Sequence, residues 1–405
     1  MVAEALERAG RGGVGAGPVG QTLRADLDAL SDEFAGELRL LAAQRASQAL
    51  PAGESAGIAA GVAGHARAVG GTVPRFLRYE GSGLDMSRYS LSGRAGDLAV
   101  QVGRDAVWWG PGFRGAFLLS DNAGPLDSLS LSLTSGRFRV VKLIAPLADP
   151  ERYLYGLRLD WQARNDLRIG FGEILVGPGG PSALYALNIV PGVAYAISHH
   201  LRAAYNDNYS FSLDFDWRVR AGTVVYGELY VDDLVISDPY RHFPDRIAGT
   251  LGVYLADPFG DGRTGLRFEH SRATNWIYAT SNPATQPVRS GRAVGHWCAP
   301  DCELWSVSLI HRLAPRASVV VGYDLIRKGE GRLGETWTNP DDAWARYYLS
   351  GVVETTHVLR AAASWWIGDL RTVLTVGRSA ASNAAHVSGA TRQDWFVLWE
   401  ASYGF

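Results

Sequence analysis

Apolar and polar positions alternate with a period of two along most of this chain, and only its first part keeps the three- and four-residue spacing of helices. Residues 128–134 (SLSLSLT) alternate cleanly, as do Tyr153–Ala163 and Leu167–Val176 around an Arg164-Asn165-Asp166 turn. In Ser210–Arg220, Phe211, Leu213, Phe215, Trp217 and Val219 fall on one face, with Asp214, Asp216, Arg218 and Arg220 opposite. Further alternating stretches are Thr223–Asp232, Ile247–Ala256, Gly265–Ser271, Leu304–Arg312, Ser318–Arg327, Thr355–Trp366 and Leu370–Arg378. The last eleven residues place Trp395, Val397, Trp399, Ala401, Tyr403 and Phe405 on one face. With weaker stretches included, roughly 15 strands are predicted from residue 98 onward. A face as charged as that of 210–220 cannot line the core of a β-sandwich, whereas it suits a wet lumen in which opposed charges pair. The expected fold is therefore all-β, a transmembrane antiparallel β-barrel of about 18 strands, with 16 inside the counting error. Long intervals at 272–303 and 328–343 alternate with tight turns, as expected of extracellular loops and periplasmic turns.

The first 72 residues read differently. Leu23, Leu27, Leu30, Phe34, Leu38 and Leu41 predict one amphipathic helix opened by Gln21 or Thr22, and Ile58 to Val69 predicts a second, weaker one. Two such helices bury too little apolar surface to stand alone. Residues 1–72 are expected to be a periplasmic helical element or partial plug, with a disordered tail as the alternative, and residues 73–405 the barrel. The opening MVAEALERAGRGGVGAG carries acids early and lacks the apolar core of a secretion signal. An exported protein then implies either a start further upstream or an added Met.

Composition narrows the class. Hydrophobic residues are 47% and charged residues 20%, yet no run of about 18 apolar residues exists, which excludes an ordinary transmembrane helix. A barrel escapes that test because its two faces average out. Forty-eight glycines and 11% aromatics suit tight turns and aromatic girdles. A net charge of −2 gives no basic field for nucleic acid.

Residues 103–125 read GRDAVWWGPGFRGAFLLSDNAGP. Gly110, Pro111 and Gly112 permit a turn that ordinary residues cannot make, placing Trp108 and Trp109 at a strand end. An indole face there can stack on the C–H face of a sugar, with Asp121 and Asn122 bonding hydroxyls. Packing inside the barrel, fixing a constriction, is the competing and preferred role for the tryptophans, and backbone capping the competing role for Asn122. The Trp-Trp-Gly-Pro-Gly core and the Leu-Leu-Ser-x-Asn-Ala-x-Pro run resemble the capsule-assembly outer-membrane lectins of the Wzi family. Tyr226–Asp233 (YGELYVDD), the Ala-Asp-Pro-Phe stretch at 256–259 and Gly265–His270 (GLRFEH) add to that resemblance, which covers about residues 75–405. The terminal strand ending on Phe405 also resembles the closing strand of outer-membrane barrels, whose assembly machinery reads a terminal aromatic. The family resemblance implies an 18-stranded barrel with a helical N-terminal element, anchoring exported capsular polysaccharide at the surface of the outer membrane. The partners it implies are polysaccharide, outer-membrane lipids and the barrel-assembly machinery, with a monomer, no nucleic acid and no cofactor. A porin or transporter for small solutes is the alternative.

Glu228 and Asp232 share one strand face about 13 Å apart at ~3.3 Å per residue. That is too far for a hydrolytic pair at ~5–10 Å, so lumenal ion pairing explains them without catalysis. With no Gly-x-Ser-x-Gly elbow or phosphate loop either, no enzyme is expected. Cys298 and Cys302, in HWCAPDCE, suggest a small disulfide ring on a long loop. The alternative is a metal site with His296 and Asp301, for which one such loop is thin support.

Overall fold

A computed structural model describes residues 57–71, 83–147, 152–197, 207–233, 245–280, 282–335, 348–368 and 370–403. Among these, sixteen antiparallel strands close into a barrel. In chain order they are β1 (Gly57–Gly71), β2 (Gly83–Ala95), β3 (Leu98–Asp105), β4 (Leu126–Ser135), β5 (Phe138–Pro146), β6 (Arg152–Arg164), β7 (Leu167–Pro178) and β8 (Asn208–Arg220). They continue as β9 (Thr223–Asp233), β10 (Arg246–Ala256), β11 (Thr264–Ala273), β14 (Cys302–Ala314), β15 (Ala317–Lys328), β16 (Glu354–Ile367), β17 (Leu370–Ser382) and β18 (Thr391–Tyr403). The remaining two, β12 (Val288–Arg289) and β13 (Arg292–Ala293), form a small hairpin between β11 and β14. Each barrel strand pairs with its neighbours in sequence, and the ring shuts where β1 meets β18, with Ala68 opposite Trp399 and His65 opposite Ser402.

The all-β barrel matches the expectation, and its sixteen described strands fall at the lower end of the 16 to 18 expected. One element differs. Ile58 to Val69, expected as a helix, lies within strand β1, so among the described residues the barrel already includes Gly57–Gly71, ahead of the expected start at residue 73. The glycines at 57, 61, 64, 70 and 71 weaken a helix, while β2 and β18 offer two unpaired edges that β1 satisfies. The expected helix over Leu23–Leu41 and the terminal Phe405 lie outside the described residues.

Most connections alternate between short and long. Turns at 96–97, 136–137, 165–166, 221–222 and 315–316 sit at one end, as does Gly368; the described segments 106–125, 179–197, 274–280 with 282–301, and 329–335 with 348–353 sit at the other. At the short end Gly96, Gly136, Gly222 and Gly368 take left-handed φ angles of 57–74°, which a two-residue hairpin needs and a side chain would resist. The short end is the periplasmic one and the long end faces outside.

The wall sorts its residues as the alternation requires. Leu213, Trp217, Leu251, Trp305, Leu359 and Trp395 point outward and are exposed, whereas Asp214, Glu228, Glu269 and Asp324 point inward and are buried. Inward charges pair across strands. Asp214 accepts from Arg158 Nη2 at 2.8 Å and lies 3.1 Å from Arg168 Nη2, while Arg168 also binds Asp160 at 2.7 Å and Asp216. Asp214→Ala strips both guanidiniums of a buried partner, which costs about 3–5 kcal/mol. Leu213→Ala, one residue away on the lipid side, is expected to cost far less. The temperature at which the folded band is lost in unboiled gels should fall clearly for the first and little for the second.

Candidate functional site

The lumen is filled by its own loops. Between β3 and β4 the segment 106–125 turns inward, and the wall holds it by carboxylates that accept from its backbone. Glu228 accepts from the N–H groups of Phe117 at 2.9 Å and Leu118 at 3.1 Å. Glu269 accepts from those of Phe113 at 2.5 Å and Arg114 at 2.7 Å, and from Tyr226 Oη at 2.8 Å. Asp324 takes the Arg114 guanidinium at 3.0 Å and also pairs with Arg360. Phe117, Leu118 and Leu119 are consequently fully buried inside a membrane barrel.

The Trp-Trp-Gly-Pro-Gly stretch is what lets the segment approach so closely. Gly110 has φ 140°, and a Cβ there would stand 2.8 Å from the Ala116 Cβ and 3.0 Å from the Glu228 carboxylate. Gly112 lies against the Gly115 carbonyl, where a Cβ would come within 2.1 Å. Pro111 bridges these two glycines at the edge of the plug. The Trp109 backbone N–H donates to Leu119 O at 2.9 Å, and its indole lies flush on the bare Cα of Gly156 in β6. The Trp108 indole N–H donates to Gly110 O at 3.1 Å and the ring stays partly open.

A second inward loop, 274–301, locks onto the first. Tyr278 Oη donates to Phe117 O at 2.6 Å and accepts from the His296 N–H at 3.0 Å, while Asp232 accepts from the Tyr278 N–H at 2.8 Å. Ser120 binds Val294 O and Gly295 O, and the Asn122 amide donates to Ala293 O at 2.9 Å. The Trp297 indole donates to Arg114 O at 2.7 Å. Cys298 and Cys302 are joined by a disulfide at the foot of β14. Between them Asp301 accepts from Gly331 N and Ser350 Oγ, drawing in the described parts of a third loop, 329–335 and 348–353.

The structure thus gathers Trp108, Trp109, Gly110, Pro111, Gly112 and Asn122 into one plug, which the wall residues Glu228 and Asp232 of β9 hold. Asn122, Glu228 and Asp232 are committed to backbone partners there, and Trp109 is 9% exposed. Of the two metal-ligand candidates beside the cysteines, His296 Nδ1 accepts from Cys298 N at 3.1 Å, and the Asp301 carboxylate is taken up by the third loop. Sequence reasoning had Tyr226 and Glu269 only within family-like stretches and did not single out Asp324, Tyr278 or Ser120. The lumenal register of Tyr226, Glu269 and Asp324 was readable, but nothing local marks which inward loop each one meets, and Ser120 and Tyr278 lie on loops with no register to read. Between the plug and the wall strands β3 to β7 remains a cavity of about 190 Å³ lined by Gln101, Trp108, Ser128, Ser130 and Arg139. It has room for about a dozen waters.

His296 is fully buried, its ring stacked 4.6 Å from Phe117 and lying against Gly115. Burial, helped by the positive charge of Arg114, pushes its pKa down to about 3. The packed loops therefore hold it neutral, whereas a released loop takes up a proton below the ordinary value of ~6.5. Packing should weaken as pH falls from about 6.5 towards 3, by up to ~1.4 kcal/mol per unit, and be pH-independent on this account above that range. Thermal midpoints followed by circular dichroism from pH 7 to 4 should fall, and His296→Phe should flatten the dependence.

The comparisons with known proteins agree with this architecture. No curated protein matches the chain at the sequence level. The family model for capsule assembly protein Wzi matches residues 19–394. Among solved structures, Wzi of Escherichia coli superposes with a TM-score of 0.61 at 10% identity, over 94% of this chain and 89% of that one. It is described as an outer membrane protein involved in group 1 capsule assembly and as a carbohydrate-binding β-barrel. Pseudomonas aeruginosa OccK10 aligns at a TM-score of 0.48 and 12% identity, over 86% and 99% of the two chains, too distant a likeness to argue from. By its sequence and by the barrel that sequence folds into, this chain belongs to the Wzi family of capsule assembly proteins.

Proposed function

We propose that this protein binds exported capsular polysaccharide and anchors it at the cell surface, without catalysis, as a monomeric barrel of the outer membrane. The observation that carries the reading is the closed lumen. Two loops are stitched to each other and to wall carboxylates by direct hydrogen bonds, which suits a rigid platform better than a conduit. Glu228 and Asp232, the acids that best resemble a hydrolytic pair, are occupied by backbone amides and so are poor proton-transfer groups. Retention would come from many weak contacts along one long polymer rather than from one tight site. Trp108 is the sugar-stacking candidate, because its ring opens into the cavity beside the amide of Gln101 and the hydroxyls of Ser128 and Ser130. Trp109 has a structural role, seated on Gly156. Delivery to the membrane would use the terminal aromatic at Phe405.

Trp108→Ala should lower surface-retained capsule several-fold at unchanged protein level, with Trp108→Phe in between; unchanged capsule in both retires the stacking role. The porin alternative is separated by conductance. The intact protein should be nearly silent in planar bilayers, and Glu228→Ala with Glu269→Ala should open it, because four backbone N–H groups lose their acceptors at about 1–3 kcal/mol each. Steady conduction by the unaltered protein would favour the porin.

A further inference from the structure

The segment between β7 and β8 behaves unlike the other long connections. Residues 179–197 (GGPSALYALNIVPGVAYAI) contain no charged side chain. They form two short helical turns, α1 (Ala183–Leu187) and α2 (Val193–Ala196). Instead of entering the lumen, the segment lies on the outside of the wall. The strand register shows this. Phe138, Trp161, Ile169 and Leu213 are exposed on the outer face, and Lys142, Tyr155, Leu157, Glu173 and Leu175 share that face by the same alternation. Yet all five are buried, Glu173 to 2% and Lys142 to 5%.

The cover is specific. Tyr185 and Ala194 pack onto Tyr155 and Leu175, with the Tyr185 and Tyr155 rings 5.3 Å apart. The Ser182 N–H donates to Tyr155 Oη at 2.6 Å. Glu173 Oε2 accepts from the Gly192 N–H and from Tyr209 Oη, each at 2.8 Å. Lys142 and Glu173 flank Leu157 at one level on the two neighbouring strands, so the segment lies over a pair of opposite charges on an otherwise apolar wall. Its own polar groups turn inward: Asn188 bonds Val190 O and Val190 N, and the backbone closes Ala186 N to Ser182 O and Ala196 N to Gly192 O. What it turns away from the wall is Leu184, Leu187, Ile189, Val190, Val193 and Tyr195, with Leu187 79% and Ile189 64% exposed.

We propose that residues 179–197 are a membrane-seated flap. They screen Glu173 and Lys142 from lipid and present this apolar face to the acyl chains of the outer leaflet. Three observations select lipid over water or a second copy. The face continues the lipid-facing wall at the extracellular end; a patch of this kind is unfavourable in water; and residues 179–197 themselves carry no charged side chain, where a protein interface mixes apolar and polar contacts. The idea stands independently of the polysaccharide reading.

Nitroxide labels on one added cysteine at a time, Leu187→Cys or Ile189→Cys, test it in phosphatidylethanolamine–phosphatidylglycerol vesicles. The native cysteines are disulfide-linked and buried, so they do not label. Leu251→Cys on the lipid-facing wall and Ser388→Cys on an exposed loop are the references. Both flap positions should match Leu251, open to oxygen and protected from a water-soluble nickel chelate. Accessibility matching Ser388 would overturn the proposal. Protection from both reagents, with dipolar broadening between labels, would mean a second copy covers the face and would overturn it equally. Both flap residues are highly exposed, so neither substitution disturbs the packed side.

Discussion

Buried carboxylates that must find donors organise this barrel. Glu228, Asp232, Glu269 and Asp324 all point into the lumen, and none is left facing bulk water. An unpaired charge there would be prohibitive. The donors come mainly from main-chain N–H groups of loops that have folded inward, with Arg114 and Arg360 serving Asp324. The relation is mutual, because those loops enter the barrel with backbone amides that would otherwise be buried without acceptors. Plug and wall each satisfy the other's polar groups, so neither is stable in this form alone.

That constraint explains the odd distribution of apolar burial. In a soluble protein Phe117, Leu118 and Leu119 would mark the hydrophobic core under a sheet. Here they sit inside a ring whose outer surface is the more apolar one. The inner core runs from the plug onto the wall and is framed by hydrogen bonds, with Gly110 and Gly156 placed where loop and wall touch and Gly115 where the two loops meet.

The same logic runs outward at β5 to β8. Glu173 and Lys142 interrupt the lipid-facing side, and the 179–197 segment supplies one hydrogen-bond donor and a cover for them. Loops therefore complete the wall on both sides, in the lumen at Glu228, Asp232 and Glu269 and toward the membrane at Glu173.

The alternation in Ser210–Arg220, the charged opposite face, the length contrast between connections and the Trp-Trp-Gly-Pro-Gly turn were enough, from the sequence, for a membrane barrel with an internal constriction. These are local properties, set by a two-residue period and by which backbone angles glycine permits. The strand at Gly57–Gly71 was misread as helical because small residues satisfy either period, and what decided it was the pair of open edges on β2 and β18. The sequence likewise named Glu228, Asp232 and Asn122 without their partners. Each carries one chemistry on many backgrounds, and its partner stands between 46 and 171 residues away in the chain. Which amide meets which carboxylate, and whether a loop turns into the lumen or onto the outer wall, is settled only when the ring closes. Closure alone sets the distances across it.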